Sequence, residues 1–169
     1  MKLYTKLDVA RSQLDEAIRL YFEKRDPVSI HTLVGAAHQI MRDVASSNGI
    51  EYKCIVENMQ EKETITKKEW YRAVFQPRNF FKHANQDSNV ILDFDPNENE
   101  VWLLDACVLY GQVWNSTSKS VDAFWSWYLV KNPEAKQFMS VPTLVQLAGM
   151  LNIESTDFRF FLDHCHEIA

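Results

Sequence analysis

The spacing of apolar residues in the first 46 positions constrains the fold more than any other feature of this sequence. Between residues 7 and 24, apolar side chains recur every three or four positions, which places them on one face of a helix. A second stripe with the same period covers residues 28–46. Residues 25–27 alone separate the stripes, and Asp26 followed by Pro27 is a typical helix start. This short connection predicts an antiparallel helix hairpin.

Residues that favour tight turns are scarce along the whole chain. The 169 residues include four Gly and five Pro, fewer than antiparallel β proteins usually need for their turns. We therefore predict an all-α fold, a compact helical bundle of about six or seven helices in a single α-helical domain spanning residues 1–169. Thr5 is a predicted N-cap of the first helix, and Thr66 with Glu69 is a predicted capping box for a third helix that begins near Lys67. Further helical patterns cover residues 97–115, 120–131, 142–151 and 155–168.

Three segments carry conflicting signals. Pro77 is predicted to interrupt or kink the third helix, because proline lacks a backbone N–H and crowds the preceding turn, with residues 78–84 continuing after it. Residues 50–65 fit either a short helix or a loop. Residues 90–94 form the only strand-like run, and it is short.

Charge and cysteine content limit the classes of function. The net charge of −5 argues against broad electrostatic capture of nucleic acid, although it allows a local cationic pocket. The chain does not open with a signal-peptide pattern, and no run of 18 apolar residues exists, so we expect no membrane contact. The three cysteines (Cys54, Cys107 and Cys165) are widely spaced and form no Cys-x-x-Cys unit. Together these features favour the cytoplasm.

One short segment carries residue types suited to RNA cleavage. Arg78, Asn79, Lys82 and His83 lie within six positions. A histidine titrates near neutrality and can exchange a proton with a ribose 2′-hydroxyl or a leaving oxygen. An arginine offers planar donors to phosphoryl oxygens, and an asparagine can orient either group. This chemistry needs no metal ion when the 2′-hydroxyl is the nucleophile, and we expect neither a metal nor a cofactor.

The segment resembles the motif of HEPN-domain proteins, a family of small α-helical bundles that includes many metal-independent ribonucleases. In that family an Arg is followed after four to six residues by a His, often with a polar residue directly after the Arg. Arg78, Asn79 and His83 match this pattern. The resemblance implies that Arg78 stabilises phosphate charge, His83 acts as acid or base and Asn79 positions them. It also implies that two copies of the motif meet across a homodimer. We expect Lys82 to add positive charge for RNA binding.

A purely structural role is the alternative for this segment. In that interpretation Phe80 and Phe81 pack inward, while Arg78 and His83 pair with nearby carboxylates. Similar Arg-to-His spacings occur elsewhere, and only Asn79 and Lys82 distinguish the Arg78 copy from them. The other copies are Arg25 to His31, Arg159 to His164 and Arg159 to His166.

Three other groups of potential ligands are weaker candidates for a site. His31 and His38 share one helix face beside small residues, which favours a tight helix contact with hydrogen-bonded histidines over a metal site. Residues 164–166 (His-Cys-His) are adjacent on a predicted helix, so their side chains diverge. Residues 93–100 open like a calcium loop but lack its Gly and its final Glu, which indicates a loop and helix cap.

A non-enzymatic binding or scaffold protein is the competing function. In that interpretation Trp125, Trp127 and Tyr128 are exposed aromatic residues that meet a protein partner. The long apolar stripes of the N-terminal hairpin also favour a homodimer, since they could exceed what one domain covers.

Overall fold

A computed structural model describes residues 1–52, 55, 66–83, 89–137 and 140–166 of the chain. Within these residues, all regular secondary structure is helical, which confirms the predicted all-α bundle. A 3₁₀ helix covers Pro133–Gln137. In the described ranges, seven α-helices are delimited: α1 (Lys6–Phe22), α2 (Pro27–Ser47), α3 (Lys67–Phe80), α4 (Glu98–Trp114), α5 (Lys119–Lys131), α6 (Thr143–Met150) and α7 (Phe158–Cys165).

The hairpin of α1 and α2 begins at the residues that the sequence indicated. Thr5 and Asp8 form a reciprocal capping box at the start of α1, with the Asp8 N–H donating to Thr5 Oγ1 over 3.1 Å. Asp26 caps α2 by accepting from the Ser29 N–H over 2.8 Å. The two helices pack along each other, and the apolar stripe of α1 is buried within this single chain. Those stripes therefore need no second copy to cover them.

Helix α4 occupies the centre of the bundle. It packs against α1, α2 and α5, and it is buried on nearly every side. A helix that is apolar all round is expected in such a position. Its buried residues are Asn99, Trp102, Leu103, Leu104, Asp105, Ala106, Cys107, Leu109 and Tyr110.

The aromatic residues of α5 correct one sequence-based expectation. Trp127 is only 2% exposed, and its indole N–H donates to the Ser155 carbonyl oxygen over 2.9 Å. Trp125 and Tyr128 are half-buried, and the Trp125 indole N–H donates to the Ser140 carbonyl oxygen. The prediction of an exposed aromatic trio was therefore wrong for Trp127, because α7 and the segment before it cover that face of α5.

Helix α3 continues through Pro77 without interruption. Thr66 and Glu69 form a capping box at its start, as the sequence predicted. Beyond the proline, the Phe81 N–H donates to the Pro77 carbonyl oxygen over 3.0 Å, so helical bonding resumes within one turn. Of the two predicted effects of Pro77, an interruption does not occur, and the helix continues past the proline to Phe80 and ends beside α2.

The strand-like run at residues 90–94 forms no strand. No strand is present among the described residues that could pair with it, and an isolated strand leaves its backbone groups unsatisfied. Instead, the Phe94 ring packs edge-on against His31 and Phe81 at centroid distances of 5.0 and 5.2 Å. Most of residues 50–65, which the sequence left open, lie outside the described residues.

A helix that crosses a bilayer must be both long and apolar. In the parts of the chain that the structure describes, no helix meets both requirements for crossing a membrane.

Candidate functional site

The four residues of the Arg78 motif lie at the carboxyl end of α3. Arg78 and Asn79 belong to its last turn, and Lys82 and His83 follow directly after it. The His83 N–H donates to the Asn79 carbonyl oxygen over 3.1 Å, so the chain turns once more beyond the helix. Arg78 is half-buried, whereas Asn79, Lys82 and His83 are exposed. The motif therefore presents three polar side chains to solvent and one against the bundle.

The guanidinium of Arg78 is held on the surface of α2. Its Nη1 donates to the Gln39 side-chain oxygen over 3.0 Å, and its central carbon lies 4.5 Å from the centroid of the Phe75 ring. The aliphatic part of Arg78 passes over Gly35, where a Cβ atom would come within 3.0 Å of Cγ and Cδ. The hydrogen bond, the cation–π contact and the close approach together orient the charged group.

Helix α3 lies antiparallel to α2 in this region. Gly35 contacts Arg78, while Arg42, two turns later on α2, has its guanidinium carbon 5.9 Å from the centroid of the earlier Phe75. Near the start of α2, the His31 ring packs edge-on against that of Phe81, which directly follows α3, with a centroid distance of 5.6 Å. Positions that rise along α2 therefore fall along α3, and the α3 end lies over the first half of α2.

Helical spacing divides the motif into two sides. Arg78 and Asn79 lie on adjoining sides of the last turn of α3, and Lys82 and His83 follow each of them by four residues, just past the helix end. Partial burial lowers the pKa of the Lys82 amine, and the nearby charge of Arg78 lowers it further. The structure thus brings two cations together, and Asn79 and His83 are exposed at the same end of α3.

A fully buried histidine lies beneath this end of α3. The Asn99 amide nitrogen donates to the Pro27 carbonyl oxygen, so its Oδ1 faces His31, which donates from Nδ1 over 3.0 Å. The imidazole is enclosed by the rings of Phe81, Phe94 and Trp102.

Burial lowers the pKa of His31 to about 4, and the charges of Arg78 and Lys82 oppose its protonation further. His31 is therefore neutral at neutral pH. Its Nε2 has no hydrogen-bond partner among the described residues. The sequence predicted hydrogen-bonded histidines at a tight helix contact, and the structure confirms this for one nitrogen of His31.

A second buried histidine joins α2 to α4 two turns further on. His38 donates from Nε2 to Asp105 Oδ2 over 3.0 Å. The other oxygen of Asp105 accepts from the Tyr52 hydroxyl and from the Ile55 N–H. Trp102 lies between the two histidines, with centroid distances of 5.7 Å to His31 and 5.3 Å to His38. As with His31, one ring nitrogen of His38 has no hydrogen-bond partner in the described part of the chain.

Sequence reasoning missed the α4 partners of both histidines. Asn99 and Asp105 are six residues apart on α4, close to the seven-residue spacing of His31 and His38 on α2. Two polar side chains in an otherwise apolar helix were the available signal. Matching one pair to the other requires the α2–α4 packing register, which a single sequence does not provide.

The other Arg-to-His spacings occur in separate local interactions. Arg25 pairs with Glu23 over 3.0 Å, and the His31 that follows it is buried as described above. Arg159 is exposed and pairs with Asp163 over 2.8 Å, while the His164 Nδ1 lies 2.8 Å from a backbone carbonyl of α7. The pair formed by Arg78 and His83 differs from these because it lies at the end of α3, where Lys82 adds a second positive charge.

The remaining potential ligands do not gather into a metal centre. Among the described residues, no three His, Cys, Asp or Glu side chains are grouped so that they could hold a metal ion. Burial raises the pKa of the Cys107 thiol, and it raises that of Cys165 to about 12, so both are protonated at neutral pH. Cys54 lies outside the described residues.

No protein-family model, curated protein or solved structure matches this chain. The charged side chains are distributed unevenly along the chain. Residues 66–83 contain five Lys or Arg and one acidic residue, whereas the whole chain has 18 Lys or Arg and 23 Asp or Glu. Positive charge is thus concentrated on α3 and its end, within an acidic protein.

Proposed function

We propose that this chain is a HEPN-like, metal-independent endoribonuclease that cleaves RNA through its 2′-hydroxyl. The observation that carries the proposal is the arrangement at the end of α3. The guanidinium of Arg78 is fixed by Gln39 and Phe75, and its charge is near the Lys82 amine. Asn79 and His83 are exposed at the same end of α3. A donor that is already oriented stabilises charge without the cost of reorganisation.

Each residue has a distinct role in the proposed reaction. His83 removes the proton from a 2′-hydroxyl, and the 2′-oxygen attacks the adjacent phosphorus atom. Arg78 and Lys82 balance the negative charge that develops on the phosphoryl oxygens, and Asn79 orients His83. The bond from phosphorus to the 5′-oxygen then breaks, and that oxygen takes up a proton. The products are a 2′,3′-cyclic phosphate and a 5′-hydroxyl end.

A homodimer is part of the proposal. Arg78 and His83 are five residues apart, which on a helix separates the two side chains by about 140°. A second copy whose α3 end meets the first would place its own His83 opposite Arg78, on the other side of one phosphate. One histidine would then act as the base and the other as the acid. This arrangement is also the one that the family resemblance implies.

Cleavage of a fluorescent single-stranded RNA in the presence of a chelator tests the proposal. We expect the wild type to cut it and to leave cyclic phosphate ends. His83→Ala should lower the rate by about 10²- to 10⁴-fold, since a general base is lost. Arg78→Lys keeps the charge but loses the planar donors, so we expect a loss of about 100-fold.

Two controls make the result specific. Arg72→Lys alters an exposed arginine of the same helix and should cleave like the wild type. An RNA with 2′-O-methyl groups throughout should remain intact, because its nucleophile is blocked. Equal cleavage by the wild type and His83→Ala, or no cleavage by either folded protein, would contradict the enzymatic proposal.

A non-enzymatic binding protein is the second candidate. Helix α6 and the residue that follows it present three exposed apolar side chains at helical spacing, which are 39%, 79% and 56% exposed. They are Leu147, Met150 and Leu151. Exposed apolar groups on one helix face are typical of surfaces that contact a partner. A protein that leaves RNA uncut, but loses a partner with Met150→Asp, would support this candidate instead.

A further inference from the structure

An exposed aromatic side chain continues the line of cations along α3. Tyr71 is 44% exposed, and its ring centroid lies 4.4 Å from that of Phe75. Spacings of four and three residues place Tyr71, Phe75 and Arg78 on one face of α3. Lys82 follows four residues after Arg78, just past the helix end, where the charge of Arg78 acts on its amine. Phe75 is itself buried and rests on Trp102 at 5.4 Å, so it anchors the row.

A further arginine reaches the same row from α2. The Arg42 guanidinium carbon lies 5.9 Å from the Phe75 centroid, and that of Arg78 lies 4.5 Å from it. Two guanidinium groups from different helices thus flank one buried ring. Beyond them lie the exposed ring of Tyr71 at one end and the amine of Lys82 at the other.

We infer that Arg42, Tyr71, Arg78 and Lys82 form a basic–aromatic stripe that binds single-stranded RNA. Binding of single strands combines cations that follow the phosphates with exposed rings on which bases stack. A base must leave its own helix to stack on a side chain, which favours unpaired segments over duplexes. The inference rests on the proposed function and specifies its substrate.

The stripe also indicates where the bound strand lies relative to the motif. Tyr71 and Arg78 are seven residues apart, which corresponds to about 10 Å along a helix. A base stacked on Tyr71 therefore belongs to a nucleotide that flanks the cleaved bond. Arg42 then contacts the backbone between the stacked base and the phosphate held by Arg78.

Fluorescence anisotropy with a 2′-O-methyl single-stranded oligonucleotide measures binding without cleavage. We expect Tyr71→Ala to weaken binding by about 5- to 150-fold, the range for loss of one stacked base. Tyr71→Phe keeps the ring and should bind within twofold of the wild type. Tyr4→Ala removes another exposed tyrosine, outside the stripe, and should not change binding.

The salt dependence of binding tests the cations separately. Arg42→Ala and Lys82→Ala should each reduce the slope of log K against log salt by about 0.7, the value for one phosphate contact in a single strand. A matched RNA duplex should bind more weakly than the single strand. Circular dichroism of each variant checks that the helical fold is retained.

The binding and cleavage results can fail independently. An oligonucleotide that binds with the expected Tyr71 dependence, but whose 2′-hydroxyl form stays uncut, would support the stripe and overturn the ribonuclease. Cleavage that depends on His83, with binding unchanged by Tyr71→Ala, would overturn the stripe and keep the enzyme. Absence of oligonucleotide binding at low salt, as expected if the stripe contacts an acidic protein, would also overturn this inference.

Discussion

The side chain of Arg78 crosses α2 at Gly35, where a Cβ atom would approach its Cγ and Cδ atoms to 3.0 Å. Real Cβ atoms rarely make contacts this close, so the glycine permits the observed path of the arginine. The guanidinium then reaches Gln39 and Phe75. A residue of α2 without a side chain thus positions the charged group that we propose to bind phosphate.

Gly35→Ala should separate activity from stability. The added methyl group pushes the flexible Arg78 stem aside, which moves the guanidinium away from Gln39, and we expect cleavage to fall by at least about 10-fold. Alanine favours the helix by up to about 1 kcal/mol over glycine, so the free energy of unfolding should not fall by more than about 1 kcal/mol. RNA cleavage and urea unfolding measure the two effects.

Gly111→Ala is the matched control for that change. Gly111 also lies within a helix, and a Cβ atom there meets nothing within 4 Å. The variant should gain helix propensity and cleave like the wild type. If Gly35→Ala cleaves as fast as Gly111→Ala, the position of Arg78 does not matter for activity.

The buried His31 should make the protein less stable in acid. Its pKa is about 4 in the folded chain and about 6.5 when unfolded. As the pH falls through this window, the unfolded chain takes up a proton that the folded chain excludes. The contribution of the neutral His31 to the free energy of unfolding is therefore fully present above pH 6.5, and about 3 kcal/mol is lost by pH 4.

Comparison with His31→Gln isolates this contribution. Carboxylates whose hydrogen bonds lower their pKa, such as Asp8 with Thr5 and Glu69 with Thr66, weaken folding in acid in both proteins. The free energy of unfolding of the variant should decline less between pH 6.5 and 4 in urea titrations. Parallel declines for the two proteins would show that His31 is not kept neutral by the fold.

The Asp105 carboxylate should be among the most sensitive positions for stability. It is fully buried and accepts hydrogen bonds from His38, Tyr52 and Ile55. Asp105→Ala leaves the fully buried His38 Nε2 without its carboxylate acceptor, and we expect a loss of about 3 kcal/mol in the free energy of unfolding.

Asp163→Ala is the control for that substitution. Asp163 pairs with Arg159 on the surface, where both side chains are more than half exposed, so the loss should stay below about 1 kcal/mol. Urea unfolding of the two variants gives the comparison directly. Similar losses for both would mean that the buried network adds little to stability.

Local signals in the sequence predicted the features that depend on a few neighbouring residues. The caps at Thr5, Asp26 and Thr66 were confirmed because each requires only an oxygen three residues before a free backbone N–H. The α1–α2 hairpin was confirmed for a similar reason, since periodicity and a short connection define it. Pro77 does not interrupt α3, since the loss of one backbone hydrogen bond leaves the other bonds of the helix in place.

Features that depend on packing between distant segments were not available from one sequence. Trp127 is buried and Trp125 is half-buried, although both belong to the same apolar segment of α5. The difference in their burial follows from where α7 packs on α5. The pairing of His38 with Asp105 spans 67 residues in sequence and depends on the relative rotation of α2 and α4.

The sequence by itself determined that the chain is helical, where most helices begin, and which four polar residues gather between positions 78 and 83. The tertiary structure decided that Arg78 lies on α2 while Asn79, Lys82 and His83 face solvent. It also brought Arg42 and Tyr71 to Phe75, in the basic–aromatic stripe. The physical reason is that helix formation depends on contacts within one or two turns. The orientation of a side chain at a helix surface depends on which distant helix it meets.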